Sequence, residues 1–202
     1  MQAIQVIFEL CILFLSVIIH EVSHGYVAYM LGDPTAKLSG RLTLNPISHI
    51  DPFGSIALPL VLTLLHLPPV GYAKPVPYNP YMLRGGKWGP AMVAMAGPGV
   101  NFLLAIVFAL TIRLGTWSLT VTSLLGAIVF VNLVLGLFNS VPIPPLDGSK
   151  VLFALLPYQY QEVERFMTRY QLILIFLVIA FLWPFVENVI PFLYSLLTGL
   201  PF

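Results

Sequence analysis

The sequence predicts an all-α polytopic membrane protein with about four to six transmembrane helices, a re-entrant segment and short membrane-associated strands. Three observations carry this. Hydrophobic residues make up 58% of the 202 and charged residues only 8%, far from the balance of a soluble domain. Several apolar runs reach the ~17–25 residues that a helix needs to cross a bilayer. Between them lie Pro- and Gly-rich stretches that cannot continue a helix. The same composition narrows function. A net charge of +1 without a basic run offers nucleic acid no footing. The single cysteine, Cys11, permits no intrachain disulfide and reads as a small apolar residue.

The first helix is expected from about residue 3 to Leu31, where Gly32, Asp33 and Pro34 stop it. Its opening MQAIQVIFEL has no basic region and leads to no small-residue cleavage site, so a resident helix is expected rather than a leader. TAKLSGRLTLNP, within residues 35–53, alternates like a short strand pair. Residues 55–67 are apolar but short and contain Pro59, which favours a re-entrant hairpin over a full crossing. The Pro- and Gly-rich stretch after them is expected to be extended. Residues 90–112 and 117–138 read as spanning helices, and PIPPLDG then breaks the pattern. Residues 151–169 fit a short surface helix with Arg165 and Arg169 near water, 170–186 span again, and 189–199 form a shorter apolar piece. With no repeat and no linker, one domain over 1–202 is expected, with a core of about 1–150 and C-terminal helices 151–202.

Within the first apolar run stands HEVSH, where ionisable groups are expensive and therefore point to function. His20 and His24 are four residues apart, so on a helix they project from one face and can share one zinc ion. Glu21 lies beside the first of them, suited to take a proton from a water and pass it to a leaving amine. The plainer reading, two histidines bonded to neighbouring helices, does not account for a buried glutamate. A third ligand is required. Asp147 is the only acidic residue between Asp51 and Glu162, and it follows a spanning helix in a stretch that prolines unwind. An ordinary helix-capping aspartate is the alternative there.

Topology favours the ligand. His20 is about ten residues from its helix end, roughly 15 Å inside that face. Lys37 and Arg41 follow on that side, and Lys74, Arg84 and Lys87 follow the short 55–67 segment. The positive-inside rule places both clusters in the cytoplasm if 55–67 enters and leaves by one face. Asp147 then returns to the depth of the histidines.

HEVSH, NPISHIDPFGS, GYAKPVP, AGPGVN and FNSVPIPPLDG, in this order, resemble the site-2 protease family of intramembrane zinc metalloproteases, peptidase family M50. The resemblance implies one zinc ion per chain on His20, His24 and Asp147, with Glu21 as the catalytic acid/base. It implies a transmembrane protein or peptide as substrate, cleaved within or near its membrane-spanning segment. It also implies the compact branch, without PDZ or CBS domain, in a prokaryotic cell membrane with the active site toward the cytoplasm.

The other polar residues are read more plainly. Asn139 suits a substrate or oxyanion contact by the same resemblance. Asn101 and Asn132 are either helix-joining amides or, for Asn101, a further substrate contact. GYAKPVP can hold an unwound substrate main chain to main chain, with Lys74, Pro75 and Val76 at its centre. His49 and Asp51 could form a second metal pair, but DPFG reads as a turn. Glu9 is expected to be a packed or snorkelling carboxylate, and His66 to be interfacial. The competing function is a transporter or metal-binding scaffold using the same ligands without hydrolysis. Such a protein has no need of a non-ligand base at Glu21.

Overall fold

The computed structural model describes residues 2–51, 53, 57, 61, 64 and 74–202, excepting the side chains of 2–6, 158 and 181–187. The described residues are helical or irregular, without strands. Helix α1 spans Gln2–Met30 and short α2 spans Thr35–Leu38. Long helices α3 (Trp88–Leu114) and α4 (Leu119–Asn139) follow. Then come α5 (Gly148–Leu155), α6 (Gln161–Arg169) and α7 (Gln171–Thr198). Among the described residues, three helical segments are long and apolar enough to cross a membrane: Ile7–Met30, Trp88–Leu114 and Leu119–Asn139.

Helix α3 is central. It packs on α1 and α4, receives α5 near one end, and meets α7 as well. Small residues allow the close approach: Ala105 and Ala109 of α3 are buried with Val129 and Leu133 of α4, and Leu193, Tyr194 and Leu197 of α7 close over them. A second cluster, Ala28, Leu83 and Val93 with Tyr78 against it, lies where the α2–α3 connection crosses α1 and α3. Leu10, Leu103, Ile173 and Phe176 face outward, an apolar exterior that suits lipid.

The strand pair expected over TAKLSGRLTLNP is absent, and local side-chain bonds explain why. Buried Asp33 accepts from both the N–H and the hydroxyl of Thr35, starting α2. Asn45 accepts from the Ile47 N–H and starts a 3-10 turn at Pro46–His49. The Arg41 guanidinium donates to the Ser48 carbonyl and the His49 ring to the Thr43 carbonyl, so the loop folds onto itself. Each bond gives the backbone an alternative to a ladder. The stretch 151–169 is likewise not one helix but α5 and α6, parted around Pro157. Conversely, 170–186 and 189–199 lie in one continuous helix, α7. Most of the expected re-entrant segment, with Pro59 and His66, lies outside the described residues.

The stretch from residue 74 to Leu83 forms a strap along the end of α1. Its main chain is fastened by Lys74 N–H to the His49 carbonyl at 2.9 Å and Arg84 N–H to the Leu31 carbonyl at 2.8 Å. Between these, Asn79 N–H donates to Asp33. Burial alone would push the Asp33 carboxyl up, but the bonds from the Thr35 hydroxyl, the Asn79 N–H and the Thr35 N–H hold it below the usual carboxylate range.

Candidate active site

His20 and His24 leave α1 on one face and are buried, with their rings edge to face at 4.6 Å. Asp147 reaches them from the turn between α4 and α5. It occupies the N-cap position of α5, yet its side chain makes no capping bond. Its Oδ2 lies 3.0 Å from His20 Nε2 and 3.2 Å from His24 Nε2. The turn that delivers it depends on Gly148, where any Cβ would collide with the Ser140 carbonyl at the end of α4. The capping alternative for Asp147 thus fits the position but not the carboxylate.

The donors fit a metal ion. The two Nε2 atoms are 3.0 Å apart, as is His20 Nε2 from the carboxylate. A tetrahedral zinc site with bonds of roughly 2.0 Å separates neighbouring ligand atoms by roughly 3.3 Å. The far side of each ring is occupied. His24 Nδ1 is 2.7 Å from the Val93 carbonyl oxygen and His20 Nδ1 is 2.6 Å from Asn101 Oδ1. A carbonyl only accepts, so His24 carries its proton on Nδ1 and turns a lone pair inward from Nε2. With the His20 tautomer set in the same way, three lone-pair donors converge with no hydrogen among them. That arrangement calls for a cation, and His20, His24 and Asp147 are the one group of three or more such ligands among the described residues.

Helix α3 supplies the back wall. Val93, Gly97 and Asn101 fall at intervals of four, matching the interval of the two histidines on α1. A Cβ on Gly97 would sit 2.5 Å from both Nε2 atoms, too close for the two rings to keep their places. Glu21 is half-buried and its Oε2 accepts the Val76 N–H at 2.9 Å. The strap therefore lies over Glu21, with Val76 buried and Lys74 and Pro75 exposed. Next along the strap, burial pushes the Tyr78 phenol up, and the Asp147 carboxylate adds to the effect.

Other residues singled out by sequence stand outside the three-donor cluster. Asn139 donates to the Leu135 carbonyl of its own helix at 3.0 Å. Asn101 is fully buried against His20, and its NH2 is given to Asn132 at 2.8 Å. His49 anchors its loop, and Asp51 accepts the Phe53 N–H. Sequence reading passed over Val93, Gly97 and Ser16. Their signal was present as the same four-residue interval, Ser16 before His20 on α1 and Val93–Gly97–Asn101 on α3.

Membrane-length helices enclosing a three-donor metal cradle with a carboxylate beside it define a class, the membrane-embedded metal-dependent hydrolases. The model of peptidase family M50 matches residues 8–117 and 114–181. YwhC of Bacillus subtilis is 39% identical over 154 residues, covering 72% of this chain and 67% of its own. Rip2 of Mycobacterium tuberculosis is 30% identical over 172 residues, 84% of this chain and 64% of its own. MJ0392 of Methanocaldococcus jannaschii is 29% identical over 149 residues, 74% of this chain and 34% of its own. All three carry the words zinc metalloprotease in their names, and the chain spans about two thirds of the length of the first two. No solved structure matches the chain significantly. The chain belongs to peptidase family M50 and is a zinc-dependent intramembrane protease. That membership does not favour the transporter or scaffold alternative.

Proposed function

We propose that the chain hydrolyses peptide bonds within or near the transmembrane segments of membrane proteins. His20, His24 and Asp147 hold the zinc ion and Glu21 is the general acid/base. The convergence of three lone-pair donors, with the outer nitrogen of each imidazole already bonded, carries the reading. When bound, zinc supplies Lewis-acid polarisation of the scissile carbonyl and acidifies a water at neutral pH. Glu21 accepts that water's proton on Oε1 while Val76 N–H steadies Oε2. The carboxyl then delivers the proton to the departing amine. Water is consumed, and one carboxylate and one amine are released.

Helix α7 serves as a fourth span, residues 55–67 as a re-entrant segment, and the whole of 1–202 as one unit in a prokaryotic cell membrane. The connection between α1 and α3 and the 140–150 turn face the cytoplasm, supported by where the lysines and arginines lie. Lys74 and Pro75, exposed on the strap, and Asn139 at the end of α4 are the substrate-side contacts.

Metal analysis beside a cleavage assay on the purified protein tests the assignment. Glu21→Gln should retain stoichiometric zinc and lose cleavage by about 100-fold or more, whereas His20→Ala and Asp147→Ala should lose zinc as well. Full cleavage by Glu21→Gln would remove Glu21 from the mechanism, and full zinc in Asp147→Ala would remove Asp147 from the ligand set.

A further inference from the structure

The polar contact behind His20 does not end at Asn101. Asn101 Nδ2 donates to Asn132 Oδ1 on α4 at 2.8 Å, and Asn132 Nδ2 donates back to Ser16 Oγ on α1 at 3.0 Å. Asn132 Nδ2 also donates to the Ile128 carbonyl of its own helix at 2.9 Å. Asn101 and Asn132 are fully buried, and Ser16 is 4% exposed. The chain of bonds crosses three helices and closes one turn before the histidine from which it began.

The direction of every bond is fixed at one place. A carbonyl oxygen has only lone pairs, so the side of the Asn132 amide facing Ile128 must be its NH2. Its Oδ1 then faces Asn101, and two oxygens in contact would repel, so Asn101 presents its NH2. Asn101 Oδ1 is thereby turned to His20 Nδ1. An oxygen there requires the ring proton on Nδ1, which leaves Nε2 with its lone pair directed at Asp147 and His24. Ser16 cannot fix the direction, because a hydroxyl both donates and accepts.

We infer that the main-chain carbonyl of Ile128 sets the ligating tautomer of His20 through Asn132 and Asn101, which are positioning residues of the metal centre. This rests on His20 as a zinc ligand, as proposed above. The two imidazoles are then oriented by two main-chain carbonyls. His24 takes its cue from Val93 directly, and His20 takes its own from Ile128 through two amides. A flipped amide anywhere along the relay would place N–H against N–H or oxygen against oxygen where water does not reach.

Zinc affinity of the full chain in detergent, measured by chelator competition, tests the relay. Asn132→Leu keeps the volume and removes the amide, freeing Asn101 to turn its NH2 toward His20. Affinity should fall about 10- to 100-fold, the range of outer-shell losses. In an Asn101→Leu background the same change should cost less than about twofold, because the relay is already cut. Ser16→Ala leaves the Ile128 anchor in place and should change affinity by less than about threefold. Unchanged affinity in Asn132→Leu, or an equal loss in both backgrounds, would overturn the inference. So would a Ser16→Ala loss as large as that of Asn132→Leu. A measurement without substitution keeps it falsifiable: nitrogen NMR of the histidine-labelled, zinc-loaded protein should find His20 protonated at Nδ1 and metallated at Nε2. Metal on Nδ1 overturns the relay. A wild-type chain that takes up no zinc overturns the ligand assignment itself, whereas zinc on Nε2 with an indifferent Asn132 refutes the relay alone.

Discussion

Gly97 does its work by lacking a side chain. The position of its missing Cβ lies within 2.5 Å of His20 Nε2 and His24 Nε2, so an alanine methyl would overlap both imidazole rings and displace them. Helix propensity pulls the other way, since alanine is favoured over glycine by about 1 kcal/mol in a helix interior. The two effects have separate readouts. Gly97→Ala should lower zinc affinity by at least about 10-fold while its helical content stays near that of the metal-free wild type. A variant that still binds one zinc at wild-type affinity would show that the ion sits away from α3. Neighbouring Pro98 contributes in another way: without an N–H it removes one rung of the helix ladder beside the carbonyl that holds His24.

The strap is the element whose role differs most from its sequence expectation. GYAKPVP reads as an edge for an incoming strand, but in the structure the Val76 N–H donates to Glu21 Oε2 and the side chain packs toward Gly25 on α1. A hydrogen bond to a charged group contributes about 1.5–3 kcal/mol, so losing it should slow cleavage roughly 10- to 100-fold if it positions the base. Val76→Pro removes the N–H and should show that fall with zinc retained. Val76→Ala keeps the N–H and should stay within about threefold. Equal turnover by the two would sink the positioning role. What could be read in advance follows from range. HEVSH fixes its own geometry because helical spacing is local, and Asp147 stood out because a proline break after a span is local too. The strand pair over 35–53 failed because alternation is equally compatible with capped turns, and the side chains of Asp33 and Asn45 chose the turns. Continuity of α7 and the bond from Asn101 to Asn132 depend on how helices pack, which no single window of sequence records.

Across the whole molecule, the basic residues gather in two stretches of the chain. Every lysine and arginine except Arg113 lies in the α1–α3 connection or beyond α4. If α3 and α4 both cross, those two regions share a face, and single cysteines there should label together. In a Cys11→Ser background, exposed positions Ser39, Lys87 and Lys150 should react from the cytoplasmic side of oriented vesicles, and Leu119 from the opposite side. Labelling of positions 39 and 87 from different faces would mean that the intervening segment crosses fully, and the proposed topology would fall.

The carboxylate that meets His20 is 127 residues further along the chain. On the proposed ligand set, a nascent polypeptide that has inserted α1 carries two imidazoles and Glu21 but no third donor. The centre is completed only after α3 and α4 have entered the membrane and the turn ending in Asp147 has left the ribosome. Under that assignment synthesis itself keeps the chain from hydrolysing the unfinished membrane proteins around it, and assembly of the bundle is the step that arms it.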